Sequence, residues 1–493
     1  MPALIDRARQ HSERIAIRSG GKAYTYQTLL QDAAQVAYTL LEGKPDLEEA
    51  RVAFLVEPGY DYVRLQWGIW LAGGIAVPLC TRHPLPSIRY VIEDTQASTL
   101  ICSPEFEDLL APFREAALWF LRLSEMEAGE SALPAISPER RAMILYTSGT
   151  TGSPKGVVTT HQNLEAQVQS LVSSWAWSRE DHILNILPLH HVHGIINILS
   201  CALWSGACCE FLPRFEAEAV FERFLEGRIN LFMAVPTIYY KLIAHYEKMP
   251  PEQRASLSAV LRKFRLMVSG SAALPISVLE QWREISGHTL LERYGMTEMG
   301  MAISNPYVGE RRPGHIGKPL AGVQVRIADE NNQPLQDGQS GEIQVKGPNV
   351  FQEYWQKPEA TQATFTPDGW LKTGDIALVD QGYYRILGRN SVDIIKSGGY
   401  KISALEIEEV LRTHPQIKDC GVVGIPDAEW GEIIAASLIL ADPEKSLSLD
   451  ELRLWLKNKL PAYQMPRKYL IQEDLPRNVM GKVTKKALVE LFS

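Results

Sequence analysis

Three short apolar runs lie in series along the middle of the chain, at Asn230 to Val235, Phe264 to Val268 and Thr289 to Glu292, and the first two are each followed by helically spaced apolar positions. Runs of this length read as buried strands, so the pattern predicts a β-α-β-α-β unit with parallel strands. Ligands of open α/β sheets gather beyond the carboxyl ends of the strands. The loops that matter are therefore Pro236-Thr237, Ser269-Gly270-Ser271-Ala272 and Arg293 to Glu298.

Further along, GEIQVKGPNVF from Gly341 and GYYRILGR from Gly382 read as short strands of a more β-rich subdomain. The character changes between Gly388 and Val392. Beyond it, the helical patterns Ala404 to Arg412 and Leu449 to Leu460 frame two strand-like runs, CGVVGI and IIAASLIL. The expected fold class is α/β: a large N-terminal domain (residues 1–389) with mostly parallel sheets flanked by helices, a β-rich subdomain, and a small mobile α+β C-terminal domain (390–493). No repeat of solenoid or propeller length is visible. The most apolar stretch, Ile195 to Phe211, is shorter than the ~20 residues of a membrane span and carries Asn197, Ser200 and Ser205, so it reads as a buried helix.

Composition narrows the function. A formal charge of −8 over 493 residues argues against a general nucleic-acid or anionic-membrane binder, although the tail from Arg453 to Lys486 is locally basic. Six cysteines without CxxC spacing suit reduced thiols, and the N-terminus lacks the apolar core of a secretory signal. A cytoplasmic protein is expected.

The densest chemistry lies in YTSGTTGSPKG, Tyr146 to Gly156. Hydroxyls, glycine amides and one lysine at this spacing can surround a polyphosphate, because glycine lets the backbone approach an anion. The run is not a Walker loop, since Pro154 precedes Lys155 and Gly156 follows it. In RYGMTE a carboxylate, Glu298, stands beside the Thr297 hydroxyl. That suits a Mg²⁺ held mostly by phosphate oxygens. Asp375 in LKTGD can accept from two vicinal ribose hydroxyls, and Arg389 can add a charged donor to the same sugar.

YTSGTTGSPKG at 146, RYGMTE at 293, LKTGD at 371, GRNSVDIIKSGGYKIS at 388 and LPRNVMGKVTKK at 475 occur together and in order. With them the chain resembles the adenylate-forming superfamily of acyl-CoA synthetases, luciferases and peptide-synthetase adenylation domains over nearly its whole length. The resemblance implies an AMP-forming acid–thiol ligase using ATP, Mg²⁺ and coenzyme A, with a carrier-protein thiol as the other acceptor. It implies a nucleotide site built from Thr147, Ser148, Gly149, Thr150, Thr151, Gly152, Ser153, Pro154, Lys155, Ser269, Gly270, Ser271, Ala272, Glu292, Tyr294, Gly295, Thr297, Asp375, Arg389 and Lys482. Within that set Tyr294 stacks on adenine, Thr297 approaches the α-phosphate, and Lys482 is the adenylation lysine, acting with Thr297 and Glu298. Gly398 and Gly399 match the turn that faces the thiol tunnel after the small domain rotates, while Ser391 replaces the usual charged pivot residue.

The nearest likeness is to malonyl-CoA synthetases, through ERYGMTE, SNPYVGERRPGHIGKPLAGVQVRI, GPNVFQEYW and DGWLKTGD. Arg293 is the telling residue: a second carboxylate in a partly dry pocket needs a cation, and guanidinium offers it a planar fork. Arg293 can equally pair with Glu292 or Glu298, and Arg311 and Arg312 are further partners for an acid. By resemblance His191 lines the acyl pocket, and Met299 stands where these enzymes often carry threonine. Malonate or methylmalonate is the expected acid, with a medium-chain or aryl acid as the alternative.

Overall fold

The computed structural model describes residues 2–492 apart from 115–117, 127, 128, 130, 131, 148–153, 213 and 478–482. Two large sheets form the N-terminal part. The nine-stranded sheet runs Lys318–Pro319, Gly300–Ser304, Leu291–Met296, Leu266–Ser269, Leu231–Ala234, His182–Asn185, Cys208–Phe211, Ile15–Ser19 and Lys22–Thr25. Its pairings are parallel from Leu291–Met296 through to Ile15–Ser19, and antiparallel only at the two ends. The seven-stranded sheet runs Glu353–Tyr354, Lys155–Thr160, Arg141–Thr147, Ile75–Pro78, Arg51–Leu55, Thr99–Cys102 and Trp119–Arg122.

The predicted central unit is present, with the strands at Leu231–Ala234, Leu266–Ser269 and Leu291–Met296 in parallel register. Every residue of the first two is buried, as expected of parallel strands covered on both faces. The third runs two residues past Tyr294, so its alternation carries Glu292 and Tyr294 to one face and Arg293 to the other. The apolar stretch at 195–211 is not one helix. A π-helix at His193–Ser200 passes into an α-helix at Cys201–Ser205, Gly206 ends it at φ 75°, and Cys208–Phe211 is an inner strand of the nine-stranded sheet. A short buried apolar run does not by itself distinguish helix from strand.

The β-rich subdomain is an antiparallel sheet of Gln324–Ala328, Gly341–Lys346, Leu371–Asp380 and Tyr383–Arg389. The last sheet contains Tyr400–Ser403, Ile394–Ser397, Gly431–Leu440, Ile417–Asp427 and Lys468–Gln472, with helices at Ala404–Arg412 and Leu449–Lys457. Its first hairpin turns on Gly398 and Gly399, at φ 55° and 83°, a two-residue turn that needs left-handed backbone. Gly398 also lies against the Trp430 ring, which a Cβ would meet at 2.8 Å. This small domain touches the large one where Glu409 accepts from the Ile276 amide (3.4 Å) and Lys401 pairs with Glu330 (2.7 Å). Among the described residues no helix is long and apolar enough to cross a membrane.

Candidate active site

Residues from distant parts of the sequence converge around the carboxyl ends of the central strands. The Asp375 carboxylate accepts from the Tyr294 hydroxyl at 2.6 Å on one oxygen and from Arg389 Nε at 3.0 Å on the other. Asp375 and Arg389 are cross-strand partners, so the antiparallel pairing itself sets the ion pair. Gly374, at φ 74°, makes the bend, and the Asp375 amide donates to Thr373 Oγ1 at 3.1 Å. The nearby charge of Asp375 helps hold the Arg389 guanidinium above its ordinary pKa against the opposing pull of burial.

Glu298 follows at the turn after Leu291–Met296, buried, with Oε1 accepting from the Tyr354 hydroxyl at 2.8 Å. Burial pushes its carboxyl up, against the hydrogen bond from Tyr354 and the positive charges of Arg389 and Lys155. Lys155 Nζ sits 4.9 Å from the centre of the Tyr354 ring, a cation–π contact. Gly295 is required here, because a Cβ would overlap the Gly300 carbonyl. Thr297 lies in this turn, part-exposed. Lys155, Glu298, Tyr294, Asp375 and Arg389 thus share one region. Ser148, Gly149, Thr150, Thr151, Gly152, Ser153 and Lys482 lie outside the described residues.

The opposite face of the Leu291–Met296 strand is different in kind. Arg293 is 4 % exposed, and among the described residues it faces no carboxylate. Its Nη2 donates to Ser271 Oγ at 3.2 Å, and its buried Nε has no partner among them. Burial alone pushes the guanidinium down to about 9. Ser271 Oγ also lies 3.2 Å from His193 Nδ1. Burial, helped by Arg293 and His191, holds His193 well below its ordinary pKa and hence neutral. The guanidinium can only donate to Ser271, and the serine hydroxyl can either donate to His193 Nδ1 or accept from it, according to the imidazole tautomer. His193 Nε2 is buried and likewise unpartnered.

Backbone geometry builds this corner. Ser271 adopts φ 69°, an uncommon conformation for a residue with a side chain. Gly270 before it lies against the guanidinium, where a Cβ would stand 2.5 Å from Arg293 Cζ. The turn after Leu266–Ser269, expected to line a nucleoside, therefore directs Ser271 towards Arg293, while Ala272 is exposed.

Other residues expected on the acid side are held by contacts of their own. Arg312 pairs with Glu310 at 3.2 Å and lies over the Tyr383 ring at 4.2 Å. Arg311 donates to the carbonyls of Thr289, Pro306 and Tyr307, which stitches its loop together. Met299 is fully buried in the core, its carbonyl accepting from Asn349 at 2.6 Å. His191 packs against His190 with ring centres 4.1 Å apart, and it is His193, two residues on, that meets Ser271. Glu292 is buried with Oε1 accepting from the Gly314 amide at 3.2 Å, and burial pushes it up to about 8, with Glu409 of the small domain adding to the effect. Two residues of the site had no assigned role in the sequence: Tyr354, inside GPNVFQEYW, and His193. The signal for Tyr354 was its place inside a motif, and for His193 its place in a cluster with His190 and His191.

Family models of the AMP-binding enzyme match residues 4–355, and those of the AMP-binding enzyme C-terminal domain match residues 406–482. The chain belongs to the AMP-binding enzyme family. Within this family it is 46 % identical to the mitochondrial malonate–CoA ligase ACSF3 of Homo sapiens, across 99 % of the chain and 92 % of that relative. Among solved structures, ATP-bound MatB from Rhodopseudomonas palustris superposes with a TM-score of 0.92 at 33 % identity, covering 100 % of this chain and 99 % of that one. The apo form of the same protein gives a TM-score of 0.82 at 32 % identity over the same coverage.

Proposed function

We propose that this AMP-binding enzyme is a malonate–CoA ligase, which converts malonate, ATP and CoA to malonyl-CoA, AMP and pyrophosphate through a malonyl-adenylate. The carrying observation is Arg293, a buried guanidinium with no anionic partner among the described residues. Such a charge is costly to bury alone, so the pocket is incomplete without an anion. The free carboxylate of a dicarboxylic acid supplies that anion, meeting Arg293 Nε and His193 Nε2, both buried without a partner among the described residues. A monocarboxylate would leave all of them unpaired. The family relationship and the 46 % identity to a malonate–CoA ligase support the same reading.

Strand alternation divides the labour. The Glu292 and Tyr294 face of Leu291–Met296 takes the nucleoside, with Asp375 and Arg389 at the ribose. The Arg293 face takes the distal carboxylate of malonate, and the other carboxylate reaches the α-phosphate near Thr297. One carboxylate oxygen attacks the α-phosphorus, the bond to the bridging oxygen breaks, and pyrophosphate leaves. In our assignment Lys155 and the loop after Tyr146 hold the departing phosphates, and Lys482 neutralises charge as the attack proceeds. The CoA sulfur then attacks the acyl carbon, the thiol proton is released, and AMP departs with the electrons of the acyl–oxygen bond. Gly398 and Gly399 would face the incoming thiol. The match is better to the ATP-bound than to the apo relative, which supports an arrangement like that of the ATP-bound one.

Glu298 fits a Mg²⁺ site. It is a buried carboxylate that accepts from the Tyr354 hydroxyl and whose pKa burial still raises despite Arg389 and Lys155 nearby, so a cation at its oxygens would favour its ionised form. When bound there with triphosphate, Mg²⁺ would neutralise charge on the leaving phosphates.

The test is product analysis by mass with malonate, methylmalonate, propionate and an aryl acid. The account expects AMP and malonyl-CoA in equal amounts with malonate, and little thioester from the monocarboxylates. Efficient turnover of propionate with none of malonate contradicts the substrate assignment.

A further inference from the structure

The helix Leu85–Thr95 presents Tyr90 and Asp94, four residues apart and hence on one face, to the hairpin formed by Arg141–Thr147 and Lys155–Thr160. Each side chain grips a different foot of that hairpin. The Tyr146 hydroxyl donates to Asp94 Oδ2 at 2.5 Å, just before the phosphate loop begins. The Tyr90 hydroxyl donates to the Pro154 carbonyl at 2.8 Å, just where the loop ends. The two rings meet edge to face, with centres 6.0 Å apart. Gly156 makes room for this arrangement, since a Cβ there would stand 3.2 Å from the Tyr146 ring.

Asp94 also reaches the residues that directly follow the Glu353–Tyr354 strand. Its other oxygen accepts from Lys357 Nζ at 3.3 Å, and its carbonyl accepts from Trp355 Nε1 at 3.1 Å. The Trp355 amide in turn donates to the Gly156 carbonyl at 2.7 Å. One aspartate therefore ties together the first foot of the loop and the neighbouring Glu353–Tyr354 strand, and that strand is bonded to the second foot.

The consequence falls on Lys155. It pairs with Thr147 across the hairpin, and a slip of one residue would turn its side chain to the other face of the sheet. Fixing both feet and the Glu353–Tyr354 strand to one helix holds the register that sets Lys155 over Tyr354, next to Glu298.

We propose that Asp94 and Tyr90 are positioning residues for the adenylation half-reaction, clamping both feet of the phosphate loop so that Lys155 is delivered to the triphosphate. The inference rests on the reading above that this loop holds ATP. Neither residue touches substrate, and neither acts in the thioester step.

The experiment compares the wild type with Asp94→Ala, Tyr146→Phe, Tyr90→Phe and the Asp94→Ala/Tyr146→Phe double variant. It measures malonate-dependent pyrophosphate–ATP exchange over an ATP titration, the malonate KM, and thioester formation from supplied malonyl-adenylate. The phenylalanine variants remove one oxygen each, which guards against loss of the fold. Tyr146→Phe and Asp94→Ala should each lower exchange kcat/KM for ATP about 10- to 100-fold, the range of one charge-assisted hydrogen bond. The double variant should be no worse than the poorer single one, because the two changes break the same contact. The malonate KM and the thioester step should stay at the wild-type level. Equal losses in both half-reactions, multiplicative losses in the double variant, or no change in ATP dependence would overturn the clamp. A wild type that exchanges pyrophosphate with no acid refutes the functional reading instead.

Discussion

Replacing Arg293 with leucine separates substrate recognition from the rest of the machinery. In the wild type the guanidinium is buried and faces no carboxylate among the described residues, so the bound malonate would complete the pair. In the variant the distal carboxylate enters the same dry corner with only the neutral side chains of Ser271 and His193 beside it. Leaving one member of a buried ion pair alone costs about 3–5 kcal/mol. At about 1.4 kcal/mol per factor of ten, kcat/KM for malonate should fall roughly 10²- to 10³-fold or somewhat more. Propionate, which lacks the second carboxylate, should gain relative to malonate. The empty protein should meanwhile become no less stable, and its melting temperature should rise, because a buried charge without a partner has been removed. Pyrophosphate exchange with each acid and a thermal melt make the comparison. Equal losses with malonate and propionate, or a variant that still prefers malonate, would show that Arg293 serves the fold and not the acid.

Gly270→Ala places a methyl 2.5 Å from Arg293 Cζ, and should lower malonate kcat/KM about tenfold or more while the KM for ATP holds, as an acid titration at saturating ATP will show. Tyr354→Phe removes the hydrogen bond that lowers the Glu298 pKa. Because Glu298 is needed ionised to hold Mg²⁺, the acid limb of the exchange pH profile should move to higher pH in that variant; an unmoved limb excludes Glu298 from metal binding. For Glu292 the folded carboxyl is raised from 4.5 to about 8. Between those values the folded state keeps a proton that the unfolded chain has lost, so this group makes stability fall as pH rises through the window. Glu292→Gln should flatten that slope and be more stable than the wild type at pH 8 by a few kcal/mol at most, with little difference at pH 4, as melting temperatures across the range will report.

Much of the site was legible because its chemistry is concentrated in short runs. Asp375 and Arg389 were both found in motifs, and their cross-strand pairing then follows from the Leu371–Asp380 and Tyr383–Arg389 hairpin. The strand at Leu291–Met296 was visible as an apolar run, although the sequence ended it at Glu292, before the polar residues that continue it. What the sequence hid depends on contacts between distant segments. Tyr354 joins Lys155 and Glu298 through a ring and a hydroxyl, neither of which leaves a periodic trace. His191 and His193 were indistinguishable in a local reading, and His193 begins a π-helix, whose wider turn alters which side chains share a face. Ser271 faces Arg293 from a backbone conformation at φ 69° that residue type alone does not announce. The contacts of Arg312 with Glu310 and the Tyr383 ring likewise join residues whose meeting its charge alone does not announce.

The central claim is that a malonate carboxylate oxygen attacks the α-phosphorus of ATP at this site. Turnover with malonate labelled by ¹⁸O in all four carboxylate positions tests it directly, with the products read by mass spectrometry. The account predicts one ¹⁸O in the phosphate of AMP and none in pyrophosphate. Label appearing in orthophosphate beside ADP, or AMP formed without label, would contradict it.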